Sequence, residues 1–385
     1  MLRPMYLNRR TLKQVARSAA KHVSPRRALT WAGFGSAWVS LRTLNRVARR
    51  LDDVLYPAWQ TQPVRQPVFI FANGRSGTTM LHRLLALDED HFARYKLYQS
   101  MFSAVSTQRL IQALDGAPVV GKLGRRGVEL INQTFFSGWE GIHELGINKE
   151  EEDEATFVLA MESPTISLLN PFTEDYARMG WLDHASSDQQ RDFMDYYEAV
   201  VKKHLFAYGP GKHFLTKNVF TTPRLKTILA RFPDARFVYL VRDPCRALPS
   251  WLNMFFEKWV THSPELEHQS PQVRELAEMC FAYYRYMLDV RAEIPKENLT
   301  FVLYDDLVRE PVQVVERLYG WLDFEMTEAY RARLAEFGAK QRRYKSTHRY
   351  SLAQFGLSEE WVRAQIPEVF ATFGEDFPGF GQPNT

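Results

Sequence analysis

The stretch PVFIFANGRSGTTMLHRLLALD, from Pro67 to Asp88, constrains this 385-residue chain more than any other. Its apolar run Val68, Phe69, Ile70, Phe71 is too short for a helix and right for a strand buried on both faces. Asn73, Gly74, Arg75, Ser76, Gly77, Thr78 and Thr79 follow, two glycines and small hydroxyls around one cation, before Met80, Leu81, Leu84 and Leu85 recur at helical spacing. The order is strand, glycine-rich loop, helix. Glycine lets the backbone approach a ligand closely, and the free N–H groups and positive dipole of a helix start attract an anion. A ligand-free turn is the plain alternative, but it has no use for Arg75 or for paired hydroxyls at Thr78 and Thr79. The triphosphate loop GxxxxGK[ST] needs Lys directly after its last glycine, where this chain has Thr78. The expectation is an anion loop that does not take ATP with magnesium.

Further along, the same unit recurs. His213 to Lys217 reads as a short strand, and RFVYLV (Arg236 to Val241) is a fully apolar one followed at once by Arg242, Asp243, Pro244 and a helix. LTFVLY (Leu299 to Tyr304) is another, ending in Asp305 and Asp306 and followed by a helix from Pro311 to Trp321. Between them, residues 94–129 read as mostly helical with breaks at Gly116 and Pro118, and Ala155 to Leu169 and Asp188 to Leu205 read as helices. Strands separated by helices predict an α/β fold, a parallel sheet flanked by helices on both faces, here as one domain over residues 67–385. Ligands of such sheets bind beyond the carboxyl ends of the strands, which puts the Arg75 loop, Arg242 and Tyr304 on one rim.

Charge is distributed unevenly. Residues 1–50 hold twelve of the 49 Lys and Arg and no Asp or Glu, which leaves 37 basic against 45 acidic residues elsewhere. Residues 1–60 therefore read as a basic, partly amphipathic helical segment. Trp31, Phe34, Trp38 and Leu41 recur at spacings of three and four in it, as on an interfacial helix. The uncharged window from Ala28 to Leu41 is fourteen residues, short of the roughly 20 that cross a bilayer. This segment is expected either to lie on an anionic membrane surface or to pack on the domain. The acidic remainder argues against nucleic acid as a partner. Two cysteines, Cys245 and Cys280, support neither a disulfide framework nor a cysteine-rich metal site. They fit a reducing, cytoplasmic compartment, and the basic residues 1–50 add the expectation of peripheral contact at the inner face of a membrane.

The loop GRSGTT after one strand and VRDPCRALPS after a later one, with Arg242 and Ser250 eight apart, resemble the sulfotransferases that use 3′-phosphoadenosine 5′-phosphosulfate (PAPS). The likeness is closest to their broad, largely bacterial branch, and HRYSLAQFGL, near the carboxyl end, extends it to Leu357. The resemblance implies that Arg75, Ser76, Gly77, Thr78 and Thr79 cradle the phosphosulfate, that Arg242 and Ser250 hold the 3′-phosphate, and that Tyr304 meets the adenine. It also implies that Lys345, Ser346 and Thr347 belong to a loop closing over the nucleotide. His143, in HELG, is the first candidate for the base that takes the acceptor's proton, and Glu151 and Glu152 are the second. Arg75 and Lys217 are candidates for stabilising the leaving phosphate, with no metal required. The chain departs from the pattern at Arg75, where cytosolic members have Lys, and at Asn218, which replaces the Ser of KSP.

Two other classes compete. A P-loop kinase of a small alcohol or nucleoside would need Lys at the position of Thr78. A membrane-associated anion-binding protein without catalysis would explain the basic head. Glycosylation triplets at Asn132 and Asn298 allow a secretory variant of the enzyme. For the acceptor, the basic head and the aromatics Phe135, Phe136, Trp139, Trp251, Phe255 and Phe256 point to an apolar or lipid-like alcohol.

Overall fold

A computed structural model describes residues 5–116, 152–341, 350–378 and 380–381. Five strands, β1 (Val68–Phe71), β2 (Phe92–Arg94), β3 (His213–Lys217), β4 (Arg236–Val241) and β5 (Leu299–Leu303), form one sheet in the order β2-β3-β1-β4-β5. All pairings are parallel, with Ile70 beside Lys217 and Val238, and Val241 beside Leu303. The unbroken apolar runs follow from burial on both faces. One face carries Phe69, Phe71, Phe237 and Tyr239 against α7 (Ser187–Tyr208), α9 (Pro244–His262) and α10 (Pro271–Val290). The other carries Val68, Ile70, Val238 and Leu240 against α3 (Thr78–Ala86), α12 (Pro311–Leu322) and α13 (Glu328–Gln341). Because β3 and β4 flank β1 on opposite sides, the crevice at the carboxyl end of β1 is the topological switch point where open α/β sheets bind ligands.

Three local readings change. The edge strand β2 is only three residues long, too short to give an alternation signal. The helix expected over Ala155–Leu169 is α6 (Glu154–Ala160), ended by Met161 at φ +58°, with a separate 3₁₀ turn over Pro164–Leu168. Pro164 cannot donate to a continuing helix, so the chain restarts there. Tyr304 does not close β5; it opens α11 (Tyr304–Arg309).

Before the sheet, α1 (Arg9–Lys21) and α2 (Pro25–Leu55) pack on the rest of the molecule. Asn8 caps α1 by accepting from Thr11 N at 3.0 Å, and Ser24 caps α2 ahead of Pro25 at its first position. Val15 of α1 joins Met161, Ile166, Tyr176 and Met179 in a small core, and Trp31, Phe34 and Trp38 pack on it. Trp38 Nε1 donates to the Val158 carbonyl at 3.1 Å. The aromatic face that read as interfacial is therefore turned inward. Further along α2, buried Asp52 accepts from the N–H groups of Val105 and Ser106 at the start of α5 (Val105–Gly116) and from Lys203 Nζ, each at 2.8 Å. No helix among the described residues is long and apolar enough to cross a membrane.

Candidate active site

The glycine loop leaves β1 with its backbone forced by two close approaches. A Cβ on Gly74 would sit 2.0 Å from the Trp251 ring, and one on Gly77 2.8 Å from Cδ2 of Tyr304. Gly77 also holds φ +89° as the N-cap of α3, and Arg75 holds φ +69°, a conformation that costs a non-glycine residue. A strained non-glycine residue thus sits in the segment expected to grip an anion. Gly77 brings no side chain to cap α3, and the first N–H bonded back to its carbonyl is that of Met80, so the start of the helix ahead of Met80 faces a ligand without a side-chain cap. The Ser76 hydroxyl is buried with no hydrogen-bond partner among the described residues.

The other predicted donor residues converge on this loop. Asp243 caps α9 by accepting from Cys245 N at 2.8 Å, and Pro244 occupies its first position, which fixes Arg242 at the mouth of the sheet. Arg242 Nη1 donates to the Arg75 carbonyl, and its guanidinium lies 4.1 Å from the Tyr304 ring centroid. Its Nε is buried without a partner among the described residues. Ser250 Oγ, two turns into α9, accepts from Arg75 Nε at 2.9 Å. Arg75, Gly77, Arg242, Ser250 and Tyr304 therefore meet beyond the ends of β1, β4 and β5. Ser76, Thr78 and Thr79 sit in the same loop and the helix turn that follows it.

A second set gathers at the end of β3. Lys217, fully buried, donates from Nζ to Glu152 Oε1 at 2.7 Å. Asn218 Nδ2 donates to Asp153 Oδ1 at 2.8 Å and to Glu154 Oε2 at 2.6 Å, while its Oδ1 accepts from Phe220 N at 2.8 Å. A serine could not make all three contacts, so the departure from KSP brings a clamp on the acidic segment 152–154. Tyr197 donates to Asp153, and Ser163 to Glu154. Burial pushes the carboxyls of both Asp153 and Glu154 above the usual range. Beneath Lys217, buried His82 on α3 is held well below the ordinary imidazole value, by burial first and then by the Lys217 charge.

Neither Asn218 as a clamp nor His82 was legible as a site residue, since their partners lie far away in the chain. His143, Glu151, Lys345, Ser346 and Thr347 lie outside the described residues, as do Phe135, Phe136 and Trp139. Trp251, Phe255 and Phe256, expected near the acceptor, belong to the main core and are almost fully buried.

A sequence model described as "Sulfotransferase family" matches residues 67–328, which is most of the chain. The chain belongs to the sulfotransferase family. Its relatives include the omega-hydroxy-beta-dihydromenaquinone-9 sulfotransferase Stf3 of Mycobacterium tuberculosis, 23% identical over 299 residues, covering 74% of this chain and 70% of that one. Stf3 of Mycobacterium bovis matches equally. Among solved structures, this sulfotransferase is similar to STF1 of Mycobacterium tuberculosis H37Rv, with TM-score 0.71 and 19% identity over 94% of this chain and 92% of that one. It is likewise similar to STF9 of Mycobacterium avium, with TM-score 0.70 and 19% identity over 88% and 84%. At such identity these structures bear on the fold, and the family match makes this a sulfuryl-transfer enzyme.

Proposed function

We propose that this sulfotransferase moves the sulfuryl group of PAPS to the hydroxyl of an apolar, lipid-like alcohol. One observation carries the donor half: the two motifs resembling those of PAPS users meet, Arg75 donating to Ser250 and Arg242 holding the Arg75 carbonyl beneath Tyr304. The residues fit the group. An unpartnered buried Ser76 hydroxyl, an uncapped α3 start and an unpartnered Arg242 Nε are donors awaiting an anion.

Sulfuryl transfer shifts negative charge onto a leaving oxygen in line with the attacking one, so fixed cations and positioning supply most of the acceleration. Arg75 and Lys217 are assigned to that charge. Glu152 orients the Lys217 ammonium, which leaves His143 as the first choice for the base, with Glu151 next and Glu152 after it. Lys345, Ser346 and Thr347 are assigned to the nucleotide's cover. The acceptor half rests on the relative named for a hydroxylated menaquinone.

Calorimetric titration with 3′,5′-bisphosphoadenosine in chelator is expected to show tight binding. Radiolabelled donor is expected to place its label in an organic-extractable product. Binding of magnesium ATP with none of the bisphosphate would replace this reading by a kinase, and label confined to water-soluble products would remove the lipid acceptor.

A further inference from the structure

The 31 residues of α2 carry two apolar faces, and only one is covered. Its inner face bears Trp31, Phe34, Trp38, Asn45 and Asp52 and is packed as described. On the outer face Leu29, Leu44, Val47, Leu51, Val54 and Leu55 are exposed, Val47 by 60% and Val54 by 76%. Single exposed apolar residues are ordinary, but from Leu44 onward these recur every three or four positions and form a stripe along about three turns of one helix. On α5, which packs beside α2, Leu110 and Leu114 are exposed as well.

Cations frame the stripe. Arg46 and Arg50 are exposed along the same turns of α2, and Arg26 is exposed at its start. The first acidic residues of the chain are Asp52, buried against Lys203, and Asp53, which accepts from Trp59 Nε1. Neither α1 nor α2 itself contributes an acidic side chain before Asp52.

We propose that the outer face of α2 docks on an anionic bilayer surface. An apolar stripe framed by cations fits the boundary between acyl chains and anionic headgroups, and α2 lies in that plane because it cannot span. A second copy of the chain is disfavoured, since pairing two such faces would bring like charges together. Nucleic acid is disfavoured because the aromatic rings of α2 that could stack on bases are turned inward. The surface is tied to the site. Trp38 and Arg42 on the inner face hold the carbonyls of Val158 and Leu159 in α6, the helix that starts at the Asn218 clamp. This docking rests on the lipid-acceptor reading only for its purpose, and it is measured apart from sulfuryl transfer.

The test floats the full chain with phosphatidylglycerol-containing vesicles and with pure phosphatidylcholine vesicles. The chain is expected to float with the anionic vesicles, to be released by high salt, and to stay behind with the neutral ones. Val47→Gln with Leu51→Gln, and separately Arg46→Glu with Arg50→Glu, are each expected to lower the bound fraction at least about tenfold, while bisphosphate affinity stays at the unsubstituted value. No flotation of the unsubstituted chain, or equal flotation of both double variants, would overturn the proposal. So would a shift from dimer to monomer on gel filtration caused by Val47→Gln with Leu51→Gln, which would make the face a contact between copies. Vesicle binding with unlabelled organic extracts would retain the docking surface and remove the lipid acceptor.

Discussion

At the scale of single residues, the site is set by close approaches that leave no room for a side chain. Gly77→Ala would need an alanine at φ +89° with its Cβ 2.8 Å from the Tyr304 ring, so either the loop or the tyrosine must move. The backbone conformation alone costs about 1–2 kcal/mol. Bisphosphate affinity measured by calorimetry is expected to fall at least about tenfold, because loop and ring both shift. Arg242→Ala removes both the brace on the Arg75 carbonyl and the cation over Tyr304, and a charge-assisted bond is worth about 1.5–3 kcal/mol. Its affinity is expected to drop about ten- to a hundredfold. His143→Ala belongs to the other half of the reaction: turnover is lost while bisphosphate affinity is kept, because a base acts on the acceptor and not on the donor. Activity surviving there but lost in Glu151→Ala or Glu152→Ala would move the base.

Elements differ in how far the sequence foretells them. Strands buried on both faces announce themselves as apolar runs, and the ends of those runs define one rim of a parallel sheet, so the meeting of Arg242 and Tyr304 with the loop after β1 was legible. The Lys217–Glu152 pair and the Asn218 clamp were not, because they join segments about 65 residues apart with no local pattern to signal the contact. Trp251, Phe255 and Phe256 carry no signal in sequence that tells a pocket wall from a core, and the fold buries them in the core, with Trp251 against Gly74 of the loop. The inward turn of α2 was legible only as an alternative, and what decides it is buried polar chemistry. Asp52 accepts two N–H groups of α5 and an ion pair from Lys203, so Asp52→Ala leaves a buried ammonium and two orphaned donors. Losing one member of a buried pair costs about 3–5 kcal/mol. Thermal unfolding of Asp52→Ala is expected at a clearly lower midpoint, and an unchanged midpoint would mean that α2 does not brace α5.

For the molecule as a whole, titrating groups tie the amino-terminal helices to the body. The 3₁₀ turn Thr173–Tyr176 lies between α1 and α10, with Asp175 taking Ser18, Lys21 and His22. On the α10 side, burial and then its hydrogen bond to Glu174 push the Glu275 carboxyl up to about 7. Its folded value lies above that of the unfolded chain, so the native state binds the extra proton. The stabilisation is complete below about pH 4.5 and is lost as pH rises through about 7. Above that, Glu174 and Glu275 carry like charges side by side. Buried His204, lowered to about 3 by burial, works in the opposite direction, losing stability as pH falls below about 6.5. Unfolding by denaturant therefore has to be compared between the unsubstituted chain and Glu275→Gln, in which every other titration cancels. Glutamine keeps the neutral hydrogen bond at all pH values, so the variant is expected to gain stability relative to the unsubstituted chain as pH rises from about 4.5 through about 7. Parallel stability profiles for the two proteins would show that this contact carries no shared proton.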